Sequence, residues 1–147
     1  MVYSEMVKKA CLIAFDAHAE DVDKGGYPYV MHPLALAFQM ESEDAVCAAL
    51  LHDVIEDHAD KYCLEDFAKA GFSSAVLDAL KLLTHDPAVP YLDYVKEIGK
   101  NEIARQVKIA DITHNLDSSR LDGRGTPKDG LYREALCYLL SLKKEGQ

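Results

Sequence analysis

The sequence has no C-x-x-C pair, no excess of basic residues, no long apolar run and no internal repeat. Each absence removes a class. Four cysteines, Cys11, Cys47, Cys63 and Cys137, stand far apart. They form neither a thiolate zinc motif nor a redox pair, so the expectation is reduced thiols in a cytoplasmic protein. Basic residues number 16 against 25 acidic ones, for a net charge of −9. A nucleic-acid binder presents a basic face to the phosphate backbone, so that class is excluded. The longest N-terminal apolar stretch, Ala10–Phe15, stops at Asp16. It is too short for a signal-peptide core or a membrane span. No segment alternates apolar and polar residues as a half-buried strand does.

Among the 147 residues, 49% are hydrophobic, which suits a single domain over residues 1–147 with a real core. Helical spacing of apolar residues places a helix over residues 4–19. "DVDKGGYPY" is a loop. His32-Pro33 opens a helix running to about Met40, since proline costs nothing at a first helical position. Ser42 or Asp44 caps a third helix, which contains "CAALLHDVIEDH". Further helices fall at residues 64–70, 73–84, 91–98, 101–117 and 130–143. Residues 118–130 read as a turn-rich linker or lid. The fold class is all-α, a compact bundle of about seven or eight helices.

"CAALLHDVIEDH" puts five ionisable residues into seven positions at the end of a segment built for burial. His52 and Glu56 are four apart and share a helix face, as do Asp53 and Asp57. An adjacent His-Asp pair offers a ring nitrogen and a carboxylate oxygen to one cation, but two ligands are too few. His32 beside the glycine loop and Asp111 in the apolar stretch "VKIADITHNLD" are the candidates to complete the set. Two imidazoles and two carboxylates suit Mn²⁺, Fe²⁺, Zn²⁺ or Mg²⁺. Carboxylates at a helix C-terminus oppose its dipole, so Glu56 and Asp57 also favour a cation nearby. His18, His58 and His85 read as surface or loop histidines, and His114 as a ligand only in a different arrangement.

The ordered set His32, His52-Asp53 and Asp111 resembles the HD-domain metal-dependent phosphohydrolases. The stretches "AHAEDVDKGGYPYVMHP", "AALLHDVIEDH", "LLTHD" and "ARQVKIADITHNLD" resemble, more narrowly, the hydrolase domain of the RelA/SpoT alarmone enzymes and their small stand-alone relatives. The resemblance runs from about Ala17 to Leu121. It implies an all-α fold, Mn²⁺ as cofactor and removal of the 3′-pyrophosphate from (p)ppGpp. Carried over residue by residue, it implies metal ligands at His32, His52, Asp53 and Asp111. Glu56 and Asp57 become the catalytic acidic pair, and Asn115 and Lys24 contact substrate. Lys108 and Arg120 are further candidates for phosphate contacts, and Tyr27 or Tyr29 could stack on a base. The expected partner is a small phosphorylated nucleotide, with no nucleic acid and no membrane. On length, the expectation is that such a chain degrades alarmone and does not make it.

Three departures remove positive charge or add negative charge where a tetraphosphate would bind. Asp23 precedes Lys24 where a second basic residue is usual. Glu20-Asp21 replaces Gly-Gln, and Pro87-Ala88-Val89 follows His85-Asp86 without a basic residue. They motivate two alternative readings: an HD hydrolase of another nucleotide or phosphoester, or a module that binds metal and nucleotide without turnover.

Overall fold

The computed structural model describes residues 1–145. The side chains of Arg120 and of residues 143–145 fall outside that description, so the expectation for Arg120 lies outside the described residues. Among the described residues there are nine α-helices and one 3₁₀ turn. They are α1 (Glu5–Ala17), α2 (Met31–Ala37), α3 (Glu43–Leu51), α4 (Val54–Asp57), α5 (Leu64–Lys69), α6 (Ser74–Leu83), α7 (Tyr91–Ile98), α8 (Glu102–Leu116) and α9 (Asp129–Glu145). The all-α expectation holds, and the only pairing of extended backbone among the described residues is an isolated bridge, Val22 with Pro28. No described helix is long and apolar enough to cross a membrane.

Helix starts follow the capping chemistry. Ser4, Ser42, Ser73 and Asn101 each accept a backbone N–H from the first turn of α1, α3, α6 and α8. α3 is the centre. Every residue from Ala45 to Leu51 is buried, so this helix has no solvent face beyond its first turn. Helices α1, α2, α6 and α8 pack around it. A helix that is apolar all round belongs in the middle of a fold.

The structure departs from the sequence reading at one informative point. Residues 43–57 are two helices, not one, separated at His52-Asp53. The His52 ring turns back and its Nδ1 lies 2.6 Å from the Ala49 carbonyl. That side-chain contact satisfies a carbonyl that the end of α3 would leave without a partner. Asp53 then sits at φ −104°, ψ −4° and starts α4. The break lets both His52 and Asp53 face the same point.

Candidate active site

Four side chains meet where the start of α2, the break between α3 and α4 and the C-terminal half of α8 come together. His32 Nε2 lies 2.8 Å from Asp111 Oδ1. His52 Nε2 lies 2.9 Å from Asp53 Oδ2 and 3.5 Å from Asp111 Oδ1. His32, His52 and Asp111 are buried. Ligand atoms of His32, His52 and Asp53 all fall within 4.8 Å of one another.

The donor set fits a cation. A carbonyl can only accept, so His52 Nδ1 carries the hydrogen that meets Ala49, and the neutral ring has its lone pair on Nε2. That buried Nε2 makes no hydrogen bond, yet it faces two carboxylates. A lone pair against two carboxylates is repulsive unless positive charge lies between them. Without an ion, a proton on Nε2 supplies that positive charge. Burial opposes charge on His52, but Asp53 and Asp111 outweigh it and hold the ring well above its usual range. Burial likewise opposes charge on Asp111, and Lys108, His32 and His52 overcome it and hold the carboxyl well below the usual range.

Other groups fix these ligands in place. Tyr29 donates its hydroxyl hydrogen to Asp53 Oδ2. Lys108 Nζ lies 2.9 Å from Asp111 Oδ2, and Asn115 Nδ2 donates to Asp111 Oδ1 at 3.2 Å. Lys108 is itself boxed in, 5.6 Å and 5.1 Å from the ring centres of Tyr91 and Tyr94. The chain thus surrounds a buried carboxylate with cations and donors, as burial of charge requires.

The cluster opens into a cleft. One part, of about 400 Å³, is lined by Asp53, Glu56, Asp57, Lys108 and Asp111. A second, of about 310 Å³, is lined by Asp23, Lys24, His32 and Thr126. Tyr29, Asn115, Lys128 and Tyr132 line both, so the two adjoin. Glu56 Oε1 is held at 2.7 Å by the backbone N–H of His85. Asp57 is pushed up to about 6, first by burial and then by the charges of Asp53 and Glu56. A carboxyl tuned to that range can take and return a proton near neutral pH.

No family model matches the chain. It is 33% identical over 117 residues to the guanosine-3′,5′-bis(diphosphate) 3′-pyrophosphohydrolase of Haemophilus influenzae, covering 71% of this chain and 17% of that protein. It is 30% identical over 131 residues to the bifunctional (p)ppGpp synthase/hydrolase SpoT of Escherichia coli K12, covering 75% of this chain. The chain is a relative of the RelA/SpoT pyrophosphohydrolases and resembles their HD-type hydrolase domain. It spans about 17% of the length of both relatives. A solved structure described as a metazoan ortholog of SpoT that hydrolyzes ppGpp has the same fold, with a TM-score of 0.73 at 21% identity over 95% of this chain and 88% of that one.

In this SpoT-like chain the structure brings His32, His52, Asp53 and Asp111 together, with Glu56, Asp57 and Asn115 on the adjoining cleft. Lys24 lines the outer part. Tyr27 departs from expectation. It is 47% exposed and lines neither part of the cleft. Tyr29, two residues on, points inward instead. Lys108 is committed to Asp111. His18, read as a surface or loop histidine, sits in the turn after α1 but is buried, and His58 is paired with Asp21 at 2.5 Å. Lys128 and Tyr132 went unread in the sequence. Both sit on or beside α9, remote from every motif, and only the packing of that helix brings them to the cleft.

Proposed function

We propose that this chain is a Mn²⁺-dependent phosphohydrolase acting on a phosphorylated nucleotide, with (p)ppGpp as substrate and pyrophosphate released from its 3′ position. The observation that carries the proposal is His52 Nε2 facing Asp53 and Asp111 at the floor of a cleft lined by Glu56 and Asp57. In this reading His32, His52, Asp53 and Asp111 hold the ion. When bound, the ion supplies Lewis-acid stabilisation of a phosphoryl oxygen and a water of lowered pKa. Asp57 accepts the proton of the attacking water, and Glu56, fixed by His85, orients it. Lys24 and Lys128, which both line the outer cleft, contact the phosphates. Asn115 holds Asp111 and faces the substrate.

The three departures from the alarmone-hydrolase pattern have local explanations. Asp23 Oδ1 accepts the backbone N–H groups of Gly25 and Tyr27 at 2.9 and 3.0 Å, so it shapes the glycine loop. Asp21 is engaged by His18 and His58. Ala88 donates its N–H to Asp86 in a turn. Lys128 brings positive charge to the cleft from another element. These contacts give the departures roles in shaping their own loops, and the alarmone stays the proposed substrate. A single domain acting in the cytoplasm completes the proposal.

The test is pyrophosphate release from ppGpp by the purified chain with Mn²⁺. Asp53→Ala should lose both metal and turnover, whereas Glu56→Ala should keep the metal and lose turnover. A folded, Mn²⁺-loaded wild type that releases no pyrophosphate from ppGpp refutes the substrate assignment. If it is inert towards every nucleotide as well, a binding module is the better description.

A further inference from the structure

A second cluster of metal-ligand type lies on the far side of Tyr29. The His18 ring packs against the Tyr29 ring with centroids 4.8 Å apart, and the Tyr29 hydroxyl reaches Asp53. Beyond His18, two imidazoles converge on one carboxylate oxygen. Asp21 Oδ2 lies 2.9 Å from His18 Nδ1 and 2.5 Å from His58 Nε2. One ligand atom from each of the three residues falls within 4.8 Å of the others.

We propose that His18, Asp21 and His58 form a second divalent transition-metal site, separate from the one at His52. Three observations carry it. First, the donors are two ring nitrogens and a carboxylate, a set suited to Zn²⁺, Co²⁺ or Ni²⁺. Second, the backbone holds all three in position. His18 ends α1 with its N–H on Ala14 at 3.0 Å, Asp21 N–H meets the His18 carbonyl at 3.1 Å, and His58 ends α4 with its N–H on Val54 at 2.8 Å. Third, access is graded. The His18 side chain is fully buried, while Asp21 and His58 are 31% and 21% exposed. An ion held there has a rigid inner ligand and a side open to water.

Hydrogen-bond contacts of 2.5 and 2.9 Å are shorter than the ligand–ligand spacing around an ion. The partly exposed Asp21 and His58 side chains are the ones with room to move apart on binding.

The experiment is Co²⁺ and Zn²⁺ binding stoichiometry on the full chain, by competition with a chromophoric chelator. Wild type should bind two equivalents. His58→Ala and Asp21→Asn should each lose one or weaken it at least tenfold, with circular dichroism unchanged. Asp53→Ala should lose the other equivalent and keep this one. If His58→Ala does not fold, Asp21→Asn, which preserves shape, decides the matter. A wild type that binds only an equivalent that Asp53→Ala removes overturns the proposal. So do two equivalents that survive in both cluster variants, and so does a folded cluster variant that loses both. The outcome does not depend on pyrophosphate release, so either proposal can fail alone.

Discussion

His32 and His114 meet nitrogen to nitrogen. Their Nδ1 atoms lie 2.6 Å apart and their rings stack with centroids 4.8 Å apart. One of the two nitrogens must donate and the other accept. If His32 Nε2 gives its lone pair to a cation, His32 Nδ1 carries the hydrogen and His114 Nδ1 accepts it. His114 is then a positioning residue that fixes both the tautomer and the angle of a ligand. His114→Leu should weaken Mn²⁺ binding by roughly tenfold or more. His114→Asn, which keeps an acceptor, should recover part of that loss. An electron paramagnetic resonance titration of Mn²⁺ reads both. Equal affinity for wild type and His114→Leu removes this role.

Much of this site can be read before folding is known. His32, His52, Asp53 and Asp111 are polar residues in apolar or loop-edge contexts, in the order and spacing of a known motif. Helix positions are also readable, because serine and asparagine caps mark the starts and glycine or proline marks the stops. The break at His52-Asp53 is not readable. Both halves are good helix sequence, and the cause is a side chain turning onto the Ala49 carbonyl. Tyr27 and Tyr29 look equivalent in the chain, yet loop geometry sends only Tyr29 inward. Lys128 and Tyr132 lack any local signal. Their role comes from how α9 docks against α7 and α8, which is a tertiary fact.

Lys108 tests how the buried carboxylate is held. Its ammonium lies 2.9 Å from Asp111 Oδ2, and both side chains are largely buried, at 12% and 7% exposed. Lys108→Met keeps the stem and removes the charge. Breaking one side of a buried pair costs about 3 kcal/mol or more. Urea unfolding without metal should show that loss. With Mn²⁺ in excess the loss should shrink, because an ion bound only by the folded state adds stability and replaces charge beside Asp111. An equal loss with and without Mn²⁺ contradicts a cation at this position.

The cysteines give a pH-dependent readout away from the site. Burial pushes the Cys47 thiol up to about 12, while Cys63 and Cys137 are exposed. Only the thiolate reacts. A raised value means that Cys47 remains protonated through neutral and mildly alkaline pH and gains thiolate only as pH approaches 12. Maleimide labelling of the native chain between pH 7 and 9 should therefore modify Cys63 and Cys137 first. Cys11, part-buried and also raised by burial, should follow slowly. Cys47 should react only after denaturation. Mass spectrometry of labelled peptides checks the order, and rapid native labelling of Cys47 would contradict the packing of α3.

Leu50 sits fully buried in α3, two residues before His52. Leu50→Ala should cost about 2–5 kcal/mol in unfolding free energy. It should also weaken Mn²⁺ binding measurably, because the helix that ends at His52 loses a packing contact. Calorimetry of unfolding, paired with a Mn²⁺ titration of the folded variant, separates the two effects. A large stability loss with unchanged affinity would show that the site is insulated from the core.

The burial of α3 on every side has a consequence for how such a protein can change over time. Its central helix is at once the middle of the core and the mount for His52, and α2 and α8, which carry His32 and Asp111, pack against it. Substitutions that repack the interior therefore act on the ion as well, and selection cannot tune one without the other. The freedom to diverge lies in the segments that meet the cleft from outside: the glycine loop, the stretch before α9, and the turn after α6. A lineage of such chains would keep its heart nearly fixed and exchange substrates by rewriting its rim.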